Sequence, residues 1–188
     1  GIMYENALAS GSADWWASKE AKGILTPAEY AKKLLPLLTP LGMKIVIEPG
    51  RFIAGNAGVL VTRVEYVKKT KQKNFVIVDA AMNDLLRPAF YEAYHDIVPL
   101  RKKGGAKISS DVVGPICESG DTFCKNRPLP RVKEGDYLAL LSAGAYAFVM
   151  ASNYNTRPMP AEVVVKGKQS TAVRERETPA SLWAHEKI

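Results

Sequence analysis

The chain has 188 residues, 26 Lys and Arg against 19 Asp and Glu, a net charge of +7 and 47% hydrophobic residues. This is the profile of a globular protein with enough apolar content for a core, as one domain or a domain plus part of another. No apolar run approaches the ~18 residues that span a bilayer, GIMYENALAS lacks the basic start and apolar core of a signal peptide, and two cysteines are too few for a disulfide scaffold.

A cytoplasmic, non-membrane protein is therefore expected. With only His95 and His185 beside Cys117 and Cys124, no zinc-ligand spacing exists. The basic runs KKTKQK (68–73) and RKKGGAK (101–107) read as solvated turns between strands. They carry no interleaved aromatics for stacking bases, so nucleic-acid binding is not expected. The chain starts at Gly1 with its first methionine at Met3, and a processed chain or a fragment is expected.

In chain order, 4–26 is irregular, and Trp15 and Trp16 are read as packing a loop onto the body. TPAEYAKKLLPLL then predicts a helix, with Thr26 as N-cap, Pro27 in the first turn and Glu29 three residues after the cap. Its apolar surface is Leu34, Leu35, Leu37 and Leu38, and TPLG closes it. MKIVIEPG predicts a short buried strand that ends in an acid and a turn, so helix and strand together read as one α/β layer.

After Arg51 the texture changes to short β-rich runs at 57–70, 73–80, 95–100, 110–116, 136–142, 145–150 and 161–167. Alternation places Val59, Val61 and Val64 on one face of the first run, with Arg63, Glu65 and Lys68 outward. RPAFYEAY (87–94) predicts one or two helical turns, and RETPASLWAHEK a terminal helix with Thr178 as N-cap and Pro179 first. The expected fold is α+β: residues 1–51 end an α/β domain, and 52–188 form a mainly antiparallel, sandwich- or barrel-like β domain.

Four stretches carry polar chemistry. In EPGR, Glu48 ends a strand, Pro49 and Gly50 turn the chain, and Arg51 supplies a guanidinium for phosphate or carboxylate. In MNDLLRPAFY, Arg87 and Tyr91 fall four apart on one helical face, a pair that suits a carboxylate. GPICESGD sets Cys117, Glu118 and Ser119 in consecutive positions after a Gly-Pro break. In GAYAFVMASNYN, Gly144 and Ala145 clear space before Tyr146. Each alone also reads as a turn, an amphipathic face or a core aromatic.

The order EPGR, MNDLLRPAFY, GPICESGD, GAYAFVMASNYN resembles the C-terminal half of the diaminopimelate decarboxylases, fold-type III pyridoxal 5'-phosphate (PLP) enzymes. The resemblance runs from Gly1-Ile2 to MPAEVVV, and CES and MNDLLRP look like the diaminopimelate branch rather than the ornithine branch. It implies a PLP-holding (β/α)8 barrel whose last unit is residues 1–51, a β-rich C-terminal domain over 52–188, and a head-to-tail homodimer. It implies decarboxylation of meso-2,6-diaminopimelate to L-lysine and CO₂, the last step of lysine biosynthesis. Glu48 would face the pyridine nitrogen, while the backbone of Glu48, Pro49, Gly50 and Arg51, with Tyr146, would hold the phosphate. Arg51, Arg87, Tyr91 and Tyr146 would bind the substrate, with the distal carboxylate on Arg51, Arg87 and Tyr91, and Glu118 would take its ammonium. Cys117, donated by the partner subunit, would protonate the α-carbon.

The lysine that bonds PLP covalently lies upstream of Gly1 in that family, so the chain is expected to be a C-terminal piece that is inactive alone. The alternatives are a decarboxylase of another basic amino acid, of the ornithine, arginine or lysine type, or a non-catalytic β module that dimerises or binds anions.

Overall fold

The computed structural model describes residues 32, 35–42, 46, 50–101 and 104–187. Thr26, Pro27, Glu29, the Trp15–Trp16 pair, nearly all of the MKIVIEPG strand, Glu48 and Pro49 lie outside the described residues. Residues 35–38 are helical, and the 3-10 turn Thr39–Leu41 ends on Gly42 at φ 66, whose N–H donates to Thr39 O at 3.0 Å. TPLG closes the segment as expected, because a left-handed C-cap favours glycine.

Among the described residues, eight strands follow helix α1 (Gly50–Ala54): β1 (Leu60–Lys69), β2 (Asn74–Val78), β3 (Ile97–Pro99), β4 (Lys107–Val113), β5 (Thr122–Pro130), β6 (Tyr137–Leu140), β7 (Glu162–Lys166) and β8 (Gln169–Arg174). Helix α2 (Arg87–Tyr91) stands between β2 and β3. The first six strands form one sheet in the order β3-β6-β1-β2-β4-β5, and β7 and β8 form a separate hairpin. All pairs are antiparallel apart from β2 with β4, which run parallel.

The sheet curls until its two end strands approach. Arg127 of β5 donates from Nη1 to His95 O at 2.9 Å and lies 3.7 Å from Asp96 Oδ1, both just before β3. A guanidinium clasp thus joins two edges that no strand ladder connects, which gives the mainly antiparallel, barrel-like domain expected. Inside lie Val64, Val76, Val78, Val112, Leu138 and Leu140, each 1% exposed or less, with Ile97, Phe123 and Leu129. Each such side chain contributes about 1.5–3 kcal/mol by leaving water.

Several expectations are corrected. The inward face of β1 is Leu60, Thr62 and Val64, whereas Val59 and Val61 are 52% and 49% exposed. Thr62 displaces the valines because its hydroxyl donates to Asp79 Oδ1 at 2.6 Å and accepts from Ala80 N at 3.0 Å. A bulge between Val64 and Tyr66 then shifts the parity, so Val67 packs on the core. Residues 145–150 form no strand: Tyr146 has φ 56, and Phe148–Met150 is a 3-10 turn. Strands β5 and β8 were not expected at all. α2 stops at Tyr91 on Glu92 in the left-handed region. The terminal helix is one 3-10 turn, Pro179–Trp183, capped by Thr178 and Ser181 in a reciprocal box. Lys73 is no solvated lysine: its Nζ meets the buried Asp111 at 2.6 Å.

Candidate functional site

The loop between β2 and α2 is fixed first. Asn83 is 1% exposed, donates to Ser152 O at 3.2 Å, and accepts from Arg157 Nε at 3.0 Å. Arg157 also donates from Nη2 to Asp79 O at 2.6 Å. Asp84 Oδ2 accepts from Ala81 N at 2.8 Å, although burial raises its carboxyl pKa. Buried polar groups are costly unless paired, so this network holds the loop in one shape and delivers Arg87 to the start of α2. One turn later comes Tyr91. The Arg87 guanidinium carbon lies 5.6 Å from the centre of the Tyr91 ring and 5.6 Å from that of Tyr146. Both are cation–π distances.

Tyr146 reaches Arg87 because of Gly144. Gly144 N donates to Gly55 O at 2.9 Å, and Ala143 N donates to Gly58 O at 2.9 Å. A Cβ at Gly144 would collide with Ala54 O and come 2.7 Å from Gly58 N. The loop therefore lies against the turn that follows α1, and the next residues turn back with Tyr146 at positive φ. The small residues before Tyr146 do clear space, but for backbone packing. On the same strip, a Cβ at Gly55 would stand 3.5 Å from Arg51 Cγ. Gly50 lies in open space, where a Cβ would meet nothing.

His95 lies beneath this surface. It is 1% exposed, its Nδ1 is 2.9 Å from Leu141 O, and its pKa is lowered to about 4. Burial is the main cause, and the charges of Arg51, Arg87 and Arg127 add to it. The strip from Arg51 to Tyr146 is thus electropositive and rich in donors, since guanidinium groups only donate. Such a set fits an anionic group.

The second loop runs from β4 to β5. Asp121 is 3% exposed; its Oδ1 accepts from Met82 N at 2.7 Å and its Oδ2 from Ile116 N at 2.8 Å. Burial raises its carboxyl pKa and the two N–H groups pull it down. Gly114 is required beside it, because a Cβ there would strike the Asp121 carboxylate. Glu118 N donates to Ile116 O at 2.8 Å, and Glu118 Oε1 accepts from Gly120 N at 2.9 Å. These bonds hold Cys117 and Glu118 exposed at the loop tip. Neither makes a ring or hydrogen-bond contact with Arg87, Tyr91 or Tyr146 among the described residues.

The structure therefore brings together Arg87, Tyr91 and Tyr146 directly, and places Arg51 where its charge reaches the same buried ring as that of Arg87. It leaves Cys117 and Glu118 on a separate loop. A cleft of ≈ 1390 Å³ opens between the outer face of β1 and the hairpin β7–β8, lined by Val59, Val61, Tyr137, Tyr146, Val163 and Val165. Of the described site candidates, only Tyr146 lines it. Sequence reasoning missed His95, Asp121 and Arg157 as organisers. The available signal for His95 was a histidine at the start of an apolar run, and for Asp121 an acid between Gly120 and a β-rich segment.

The family described as pyridoxal-dependent decarboxylase, C-terminal sheet domain, matches residues 9–144, and the chain belongs to it. Within that family, the chain is 55% identical over 163 residues to a diaminopimelate decarboxylase of Vibrio cholerae, covering 86% of this chain and 39% of that protein. Among solved structures, diaminopimelate decarboxylase from Helicobacter pylori complexed with L-lysine superposes with a TM-score of 0.69 at 37% identity, over 94% of this chain and 49% of that one. The enzyme from M. jannaschi superposes at 0.75 and 33% identity, over 93% and 46%. The chain thus spans less than half the length of the relatives it matches. Among the described residues, no helix is long and apolar enough to cross a membrane.

Proposed function

We propose that this chain is the C-terminal part of a PLP-dependent decarboxylase that converts meso-2,6-diaminopimelate to L-lysine and CO₂ as a homodimer. The observation that carries the reading is the Arg87 guanidinium between the Tyr91 and Tyr146 rings, in a chain 55% identical to a diaminopimelate decarboxylase. Residues 1–51 then end the PLP-holding barrel domain, and 52–188 form the C-terminal β domain.

Bound PLP supplies the electron sink for the charge left when CO₂ departs. Glu48 would keep a proton on the ring nitrogen, and the backbone of Glu48–Arg51 with Tyr146 would hold the phosphate. Arg51, Arg87 and Tyr91, with Tyr146 beside them, receive the distal carboxylate of the substrate, and Glu118 receives its distal ammonium. Cys117 of one subunit delivers a proton from Sγ to the α-carbon in its partner's site. The exposure of Cys117 and Glu118 at a loop tip supports that division between two subunits. L-Lysine lacks the distal carboxylate, so it leaves the guanidinium groups without an anion and binds less well than substrate.

The test is CO₂ release by the longer parent protein, loaded with PLP, from meso-diaminopimelate, ornithine, arginine and lysine. Diaminopimelate alone should be turned over. Turnover of ornithine or arginine with none of diaminopimelate would overturn the substrate assignment.

A further inference from the structure

Asp121 is bonded to two loops at once, and the reading above gives it no part. Its Oδ2 accepts from Ile116 N at 2.8 Å, one residue before Cys117. Its Oδ1 accepts from Met82 N at 2.7 Å, in the loop that leads to Arg87. Its own backbone closes the thiol loop: Gly114 N donates to Asp121 O, and Asp121 N donates to Glu118 O, each at 3.0 Å. A buried carboxylate is tolerated only when its oxygens are bonded, so the side chain has one arrangement open to it.

The two loops differ in what else holds them. The 81–87 loop keeps the bonds from Asn83 to Ser152 O, from Arg157 to Asn83 and from Ala81 N to Asp84, none of which involves Asp121. The 114–121 loop is bonded chiefly within itself, through Glu118 N to Ile116 O at 2.8 Å and Gly120 N to Glu118 Oε1 at 2.9 Å. Such bonds keep its shape, but the Met82 bond to Asp121 sets where that shape stands.

We propose that Asp121 is a positioning residue: it fixes the Cys117 loop against the anchored loop that carries Arg87, and so sets the direction in which the thiol leaves the subunit. A group that transfers a proton must come within hydrogen-bond reach of the atom it serves, so a small rotation at Ile116 is enough to disable it. That the thiol serves a substrate in the partner's site rests on the decarboxylase reading.

The experiment uses the longer parent protein loaded with PLP, with Asp121→Asn and, as a second variant that leaves both N–H groups to water, Asp121→Ser. In the homodimer, D121N should lower kcat for diaminopimelate about tenfold and change KM less than about twofold, because the misplaced group acts in the chemical step. Mixed dimers then locate the effect. One subunit carries Arg87→Ala and the other Cys117→Ala, so the one intact site takes Cys117 from the first and Arg87 from the second. The loss of kcat should be at least about fivefold greater with D121N on the first subunit than on the second. Equal losses in the two placements would overturn the proposal, as would native kcat in both homodimeric variants. If the parent releases no CO₂, or the mixed dimers regain none, the decarboxylase or shared-site reading falls by itself, and hydrogen exchange decides the role of Asp121. Exchange over residues 116–120 should speed up about tenfold in D121N, while residues 85–91 change less than about twofold. Unchanged exchange at 116–120, or equal acceleration in both loops, would refute it.

Discussion

The six-stranded sheet and the β7–β8 hairpin are built from similar sequence and behave differently. VIV in β2 and VVV in β7 share the same β-branched stiffness. In β2, Val76 and Val78 are 1% exposed or less, while in β7, Val163, Val164 and Val165 are all more than half exposed. Every residue of β8 is exposed as well. The difference lies in neighbours. β2 is flanked by β1 and β4, but β7 pairs with β8 alone. Arg174 lies 4.6 Å over the Phe148 ring, and just past β8 Glu177 accepts from Asn153 Nδ2, while its bond from Met159 N closes the base of the hairpin itself. β-propensity is therefore a fit to a half-buried surface, and the surface must be supplied by other strands.

The sharpest way to break this contrast is to truncate one residue in each region. Leu140→Ala, in the centre of the core, should cost about 4 kcal/mol in urea denaturation, by lost transfer energy and the cavity left behind. Acid should act through His95. Its folded pKa of about 4 lies below the ordinary 6.5, so the unfolded chain takes up a proton that the folded chain refuses. Stability is then full above pH 6.5 and falls as pH drops toward 4, by up to about 3 kcal/mol. Asp84 and Asp121 act in the opposite sense, because burial raises both and the folded chain takes up their protons first. The gap between wild type and H95Q across a pH series of denaturation curves isolates the histidine; identical curves would refute the assignment.

Asp121→Asn should cost about 1–2 kcal/mol, because an amide has one accepting oxygen for two backbone N–H donors. Hydrogen exchange at Met82 and Ile116 should speed up while the centre of β2 stays protected. Smallest of all, Val164→Ala in the hairpin should change stability by about 0.5 kcal/mol or less. A loss comparable to that of Leu140→Ala would mean that the hairpin belongs to the core after all.

Much of the site was legible because its residues are local. Arg87 and Tyr91 are one turn apart, and the helix that carries them starts at Arg87, as the spacing requires. The Gly-Pro break before Cys117 did mark an exposed loop. The capping of the last turn by Thr178 was readable for the same reason. The failures share a cause too. Val61 looked like a core residue because alternation was counted from the valines, but the register of β1 is set by Thr62 meeting Asp79 and Ala80, seventeen and eighteen residues away. The apolar run at 145–150 looked like a strand until the Gly144 contact with Gly55 and Gly58 turned the chain.

By itself, then, the sequence determined the pieces: a β-rich body, one short helix with an arginine and a tyrosine on one face, an exposed thiol loop, and the ordered motifs that place the chain among the pyridoxal-dependent decarboxylases. Only the tertiary structure decided which strands are buried, which face of β1 points inward, and that Arg87, Tyr146 and the buried His95 surround one electropositive strip. Those outcomes rest on partners dozens of residues apart, Asn83 with Arg157 and Asp121 with Met82 among them. Hydrogen bonds at such separations are chosen by the packing of the whole chain, and no local periodicity encodes them.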